Sequence, residues 1–94
     1  MTPPTGEAVN YLAVAGNAGS DTTVKPGPGR VVCVVVTATG TNPLTITDAS
    51  GGTVIFALPA SPALGSYNAY NMPALTSIIV PHNAANPSIT VGYV

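Results

Sequence analysis

The sequence predicts an all-β protein: a compact antiparallel β-sandwich or jelly-roll-like fold of about seven short strands. Three observations carry this expectation. Residues 31–36 read Val-Val-Cys-Val-Val-Val, apolar on both side-chain parities, as in a strand covered on both faces. They are too few for a membrane span and too β-branched to favour a helix. Leu44 and Ile46 then alternate with Thr45 and Thr47, and beyond Asp48-Ala49-Ser50-Gly51-Gly52 the two-residue period resumes through Val54, Phe56 and Leu58. Finally, most of the ten glycines and ten prolines punctuate the chain between the apolar blocks, and no helix-length amphipathic segment separates them. Residues 30–58 are therefore expected to form a hairpin with a central strand beside it, needing a second layer to bury its apolar faces.

The elements follow in order. Residues 1–8 are expected to form an extended arm and residues 9–94 a single domain. Residues 10–15 read as a first strand and residues 21–25 as a short peripheral one, whose Lys25 suits a sheet edge. Pro26-Gly27-Pro28-Gly29 is a rigid reversal delivering the chain into the central strand. In the hairpin turn, Asp48 is expected to accept backbone amide hydrogens and Gly51 or Gly52 to adopt positive φ. Val34, Phe56 and Cys33 read as core. Residues 60–72 are the longest interval of small and polar residues, expected to cross from one edge or sheet to another, with Tyr67 and Tyr70 as anchors in that loop. Residues 74–80 and 88–94 complete the strands, and Tyr93 is expected to lie across Gly92 on a cross-strand neighbour.

Composition restricts function more than it reveals it. The charged set is Glu7, Asp21, Lys25, Arg30 and Asp48, 5% of 94 residues, against about 25% in ordinary globular proteins. A net charge of -1 without a basic cluster argues against direct nucleic-acid binding. The start of the chain lacks the basic and apolar regions of a signal peptide, and no apolar run is long enough for a membrane helix. The single cysteine offers no intrachain disulfide, so nothing covalent reinforces a small core.

Catalytic chemistry is not visible. His82, the sole histidine, sits in a Pro-His-Asn turn without neighbouring metal ligands, and no general-base pair is present. Neither the Pro-Gly-Pro-Gly stretch nor Gly51-Gly52 has the lysine and hydroxyl residue that complete a phosphate loop. No cofactor, metal or enzymatic activity is expected. A small all-β chain with few charges and no staple is most economically read as part of an assembly. The rival is a β-sandwich binding module for a carbohydrate or protein ligand, displaying an aromatic or concave patch. Pro3, Pro4, Tyr67, Tyr70 and Met72 are the candidate contacts between subunits or with a larger shell.

Several segments also resemble a family. Gly27-Pro28-Gly29-Arg30 precedes an apolar strand; Leu44-Thr45-Ile46-Thr47-Asp48 is followed by Gly52-Thr53-Val54-Ile55; Asn71-Met72-Pro73 and Ile89-Thr90-Val91-Gly92-Tyr93-Val94 come later. Together they resemble small structural proteins of tailed bacteriophage virions, over roughly residues 20–94. The resemblance implies a capsid decoration or cement protein on the outer capsid surface, made in the host cytoplasm. Its implied partners are the major capsid protein and copies of itself, a trimer being one arrangement such proteins form. A neck, tail or head-fibre-base component is the alternative within the same resemblance.

Overall fold

The computed structural model describes residues 8–16, 19–81 and 85–94. Among these residues eight strands form in chain order: β1 (Asn10–Val14), β2 (Thr22–Lys25), β3 (Gly29–Ala38), β4 (Leu44–Asp48), β5 (Thr53–Leu58), β6 (Gly65–Ala74), β7 (Ile78–Val80) and β8 (Ser88–Tyr93). They make two four-stranded antiparallel sheets, one ordered β1-β8-β3-β6 and the other β2-β7-β4-β5. One cluster of buried side chains draws on both sheets, with Val14, Val31, Val34, Val36, Ile89 and Val91 from the first and Val24, Leu44, Ile46, Leu58, Ile78 and Val80 from the second. This is a sandwich-like arrangement, and its thinnest dimension of 18 Å suits two layers spaced about 10 Å apart.

Register explains why alternation works in the first sheet. Leu12, Val91, Val34 and Tyr67 stand side by side across all four strands, and Val14, Ile89, Val36 and Gly65 form the next inward row. The odd-even partners, Tyr11-Gly92-Cys33-Asn68 and Ala13-Thr90-Val35-Ser66, make the outward rows. A register shift between Val31 and Cys33 returns Val31 to the same side as Val34, and both are fully buried. Cys33 is thus half-buried on the outward face, in contrast to the core position its apolar neighbours predict. Tyr11 is the ring that approaches Gly92. Tyr93, expected there, instead packs against the interlayer core, because the period of two sends adjacent residues to opposite faces.

Three further expectations are corrected. The central strand β3 does not lie beside the β4–β5 hairpin: β3 pairs with β8 and β6, whereas β4 pairs with β5 and β7 in the other sheet. Residues 60–72 are not simply a crossing loop, since most of them belong to the ten-residue strand β6. Its pattern is hidden because Tyr70 and Asn71 adopt left-handed φ values of 57° and 54° and break the period, while only Tyr67, Ala69 and Ala74 turn toward the core. As an edge strand it also tolerates Pro73, which would interrupt a central ladder. The strand expected over 74–80 shrinks to three residues, because 75–77 form a turn held by the Asp48 carboxylate.

Candidate functional site

The charged side chains among the described residues stand at strand ends. Asp21 precedes β2, Lys25 ends it, Arg30 is the second residue of β3, and Asp48 ends β4. The outward rows of the first sheet and the row Thr23-Ile79-Thr47-Val54 of the second carry no charge. Any charge-selective contact made by these residues is therefore confined to the ends of the sandwich.

Asp48 has a structural task. Its carboxylate accepts hydrogen bonds from the backbone N–H groups of Leu75 at 2.9 Å, Thr76 at 2.8 Å and Ser77 at 3.2 Å. The Leu75 and Thr76 bonds, aided by that of Ser77, stabilise the charged form and hold the carboxyl below its ordinary value of 3.8 against a smaller opposing effect of burial. Its partners lie in the turn between β6 and β7; the expected bonds within its own hairpin are made instead by backbone and threonine. Thr47 Oγ1 donates to the Ala49 carbonyl at 2.8 Å and Gly52 N–H donates to the same oxygen at 3.2 Å. Gly51 takes the positive φ expected of the turn, 71°, and Ala49 shares the left-handed conformation at 66°.

The predicted contact residues separate in space. Tyr67 packs against the core and its hydroxyl donates to the Ala63 carbonyl at 2.7 Å. Tyr70 is 79% exposed, with its own N–H bonded to Asn68 Oδ1 at 2.7 Å, and Met72 is 44% exposed. Phe56 packs at the margin of the core and Val34 at its centre. Pro3, Pro4 and His82 lie outside the described residues.

One cleft brings together residues that the sequence did not single out as a site. A volume of about 310 Å³ is lined by Lys25, Pro28, Gly29, Arg30, Pro73 and Leu75, among others. Lys25 and Arg30 are the two cations of the whole chain. The Pro26-Gly27-Pro28-Gly29 reversal between them turns the end of β2 back into β3 and so sets both at the same end of the sandwich. Gly29 permits the close packing: a methyl there would overlap the Val94 carbonyl oxygen and lie 2.9 Å from Lys25 Cδ and 3.2 Å from Nζ. Leu75, whose N–H is one of those bonded to the Asp48 carboxylate, also lines the volume. The sequence signal was present in the two cations flanking a sharp reversal, but the wall from residues 73–75 comes from a distant segment.

No group of three or more His, Cys, Asp or Glu side chains capable of holding a metal occurs among the described residues. Among them, too, no helix is long and apolar enough to cross a membrane. Comparison with family models, with curated proteins and with solved structures finds no match to this chain.

Proposed function

We propose that this chain is a non-enzymatic structural protein of a virion, decorating or cementing the outer capsid surface by bridging major capsid protein subunits, and that its two sheets form a jelly roll. The observation that carries the reading is the strand order. Sheets ordered β1-β8-β3-β6 and β2-β7-β4-β5 follow the alternation of an eight-stranded jelly roll, an architecture used by viral capsid domains as well as by lectins and cupins. A fold hosts many functions, so the surface has to choose among them. Here the outward rows are uncharged and mix Thr, Ser, Asn, Val and Tyr, a chemistry suited to a shared interface with a hydrogen-bonding rim.

The mechanism is thermodynamic. A folded copy that contacts adjacent shell subunits binds the assembled lattice and not the separated subunits, so occupancy stabilises the lattice by mass action. Copies of the chain contact one another at the same sites, and the exposed Tyr70 and Met72 supply apolar contact area.

Cosedimentation tests this directly. Purified protein is mixed with shells assembled from the major capsid protein encoded in the same genome, and bound protein is measured against concentration. Saturable binding at a fixed ratio per shell subunit, together with greater resistance of the shells to heat, is the expected result. Protein that stays in the supernatant at all concentrations overturns the assignment. A second reading, a carbohydrate-binding module, draws on the exposed ring of Tyr70 held at positive φ; saturable binding on a glycan array, lost in Tyr70→Ser, would favour it.

A further inference from the structure

We propose that β1 is a self-docking edge: two copies of the chain pair their β1 strands antiparallel about a two-fold axis at Leu12, so that their first sheets run on into each other. The pairing goes beyond the capsid reading and does not depend on it.

A sheet edge presents a row of backbone N–H and C=O groups, and folded proteins blunt such rows with charges, prolines or bulges. Three of the four edge strands are blunted in this way. β2 ends in Lys25 and shifts register between Thr23 and Lys25. β5 inserts Ile55 as an extra residue opposite the step from Ile46 to Thr47, which breaks its regular ladder and leaves the exposed Val54 as a side-chain contact. β6 contains Pro73 and sets Ala69, Tyr70 and Asn71 against Val32 alone, with Tyr70 and Asn71 left-handed. β1 has none of these devices. It pairs with β8 step by step from Asn10↔Tyr93 to Val14↔Ile89 without a shift, and it contains no charge, proline or glycine. Among the described residues its other side has no ladder partner.

The occupant follows from the composition of the strand. An open ladder accepts an extended strand. A charged peptide finds no ion pair on the neutral β1, whereas a second β1 brings no like charges together. Because side chains alternate, only a two-fold axis passing through a residue keeps the inward side chains of both copies on the inward side. Placed at Leu12, the axis uses the whole strand. Leu12 then stands beside Leu12 of the other copy and extends the inward row Leu12-Val91-Val34-Tyr67. On the outward face Tyr11 of each copy lies beside Ala13 of the other, a large ring against a methyl. This covers what a solitary β1 leaves open, Tyr11 at 63% exposure and the partly buried Leu12. Tyr70 and Met72 belong to β6, the far edge of the same sheet, and stay free for other contacts. At about 3.4 Å per residue the seam is about 17 Å long, well short of a standard interface, so the pair is weak in solution. Two copies held side by side on a shell, as in the function proposed above, meet at a higher effective concentration that closes it.

Sedimentation equilibrium of the full chain tests the pairing. A reversible equilibrium that stops at two copies is expected, with slower hydrogen exchange of the β1 amides as concentration rises. Two double variants at these exposed positions report the register: Tyr11→Lys with Ala13→Lys, and Tyr11→Glu with Ala13→Glu. Each alone sets like charges opposite one another and is expected to weaken association by at least about tenfold, and an equimolar mixture of the two is expected to restore it as a heterodimer. The exchange readout needs no variant and keeps the test decisive if a substitution impairs folding. A chain that stays monomeric up to about 1 mM, an assembly that runs on to trimers, or double variants that associate like the wild type overturn the proposal. So does β1 protection that is independent of concentration, which gives the edge to residues 1–7 of the same chain. Protection that appears only when shells are added gives the edge to a shell strand and likewise overturns it. A dimer that leaves shells unbound upholds the pairing and removes the capsid function.

Discussion

Replacing Gly92 by alanine tests the register of the first sheet. Gly92 stands between Tyr11 on β1 and Cys33 on β3. An added methyl lies 2.7 Å from Cys33 Sγ, 3.0 Å from Tyr11 Cε1 and 3.4 Å from Tyr11 Cδ1, where atoms pack comfortably at about 3.5–4.0 Å. Tyr11 is 63% exposed on an edge strand and its ring is free to swing outward. Cys33 has no such escape, because β3 is paired on both sides. The overlap with sulfur therefore dominates, at about 1–3 kcal/mol for an overpacked site. For a domain of this size that lowers Tm by roughly 4–24 °C. Cys33→Ala removes the obstructing sulfur, so the double variant should recover much of the loss, with an interaction energy of about 1 kcal/mol or more in a double-mutant cycle read by thermal and urea unfolding. Additivity within about 0.3–0.5 kcal/mol would refute the placement of Cys33 beside Gly92.

Val34→Ala empties the centre of the core, where Val34 is fully buried, and should cost about 2–3 kcal/mol in urea unfolding; a cost under about 0.5 kcal/mol would contradict its position. Asp48 makes stability depend on acid. Its carboxyl is held below 3.8 in the fold, so its contribution is complete above that value and disappears as pH falls through the lowered one. Thermal melts from neutral to strongly acidic pH should show a steeper acid loss for wild type than for Asp48→Asn, which starts less stable; parallel curves would remove the carboxylate from the account. Val54→Lys places a charge on the exposed edge strand β5, where Val54 is 53% exposed. Light scattering should show less self-association at equal concentration with stability changed by less than about 0.5 kcal/mol, and unchanged scattering would mean that this edge does not mediate association.

The parts of the fold that could be read from the sequence are those whose order is local. The β4–β5 hairpin was visible because its period and its turn are contiguous, and β2 announced itself as an edge through Lys25. β6 escaped because two left-handed residues interrupt its alternation and an edge strand needs only one apolar face and one ladder. The outward position of Cys33 depends on a register shift that no residue between Val31 and Val36 marks. Asp48 was recognisable as a backbone acceptor, but its partners lie 27 to 29 residues away. For the same reason the cations of the cleft could be seen flanking a reversal, while the contribution of residues 73–75 to its lining could not.

The strand order has a consequence for synthesis. β8 lies inside the first sheet, between β1 and β3, yet it leaves the ribosome after every strand it pairs with. Among the described residues β1 has no other ladder partner, so that pairing waits through the production of six further strands. Among the described residues the β4–β5 hairpin is the one pairing between strands that are neighbours in the chain. A nascent chain can close that hairpin early, but the ladder on the β8 side of β3 forms only after β8 emerges, and until then that edge of β3 is unpaired. Folding is thereby tied to completion of the strand series, and a chain cut short before β8 keeps only the β3–β6 pair of that layer and leaves β1 without its ladder.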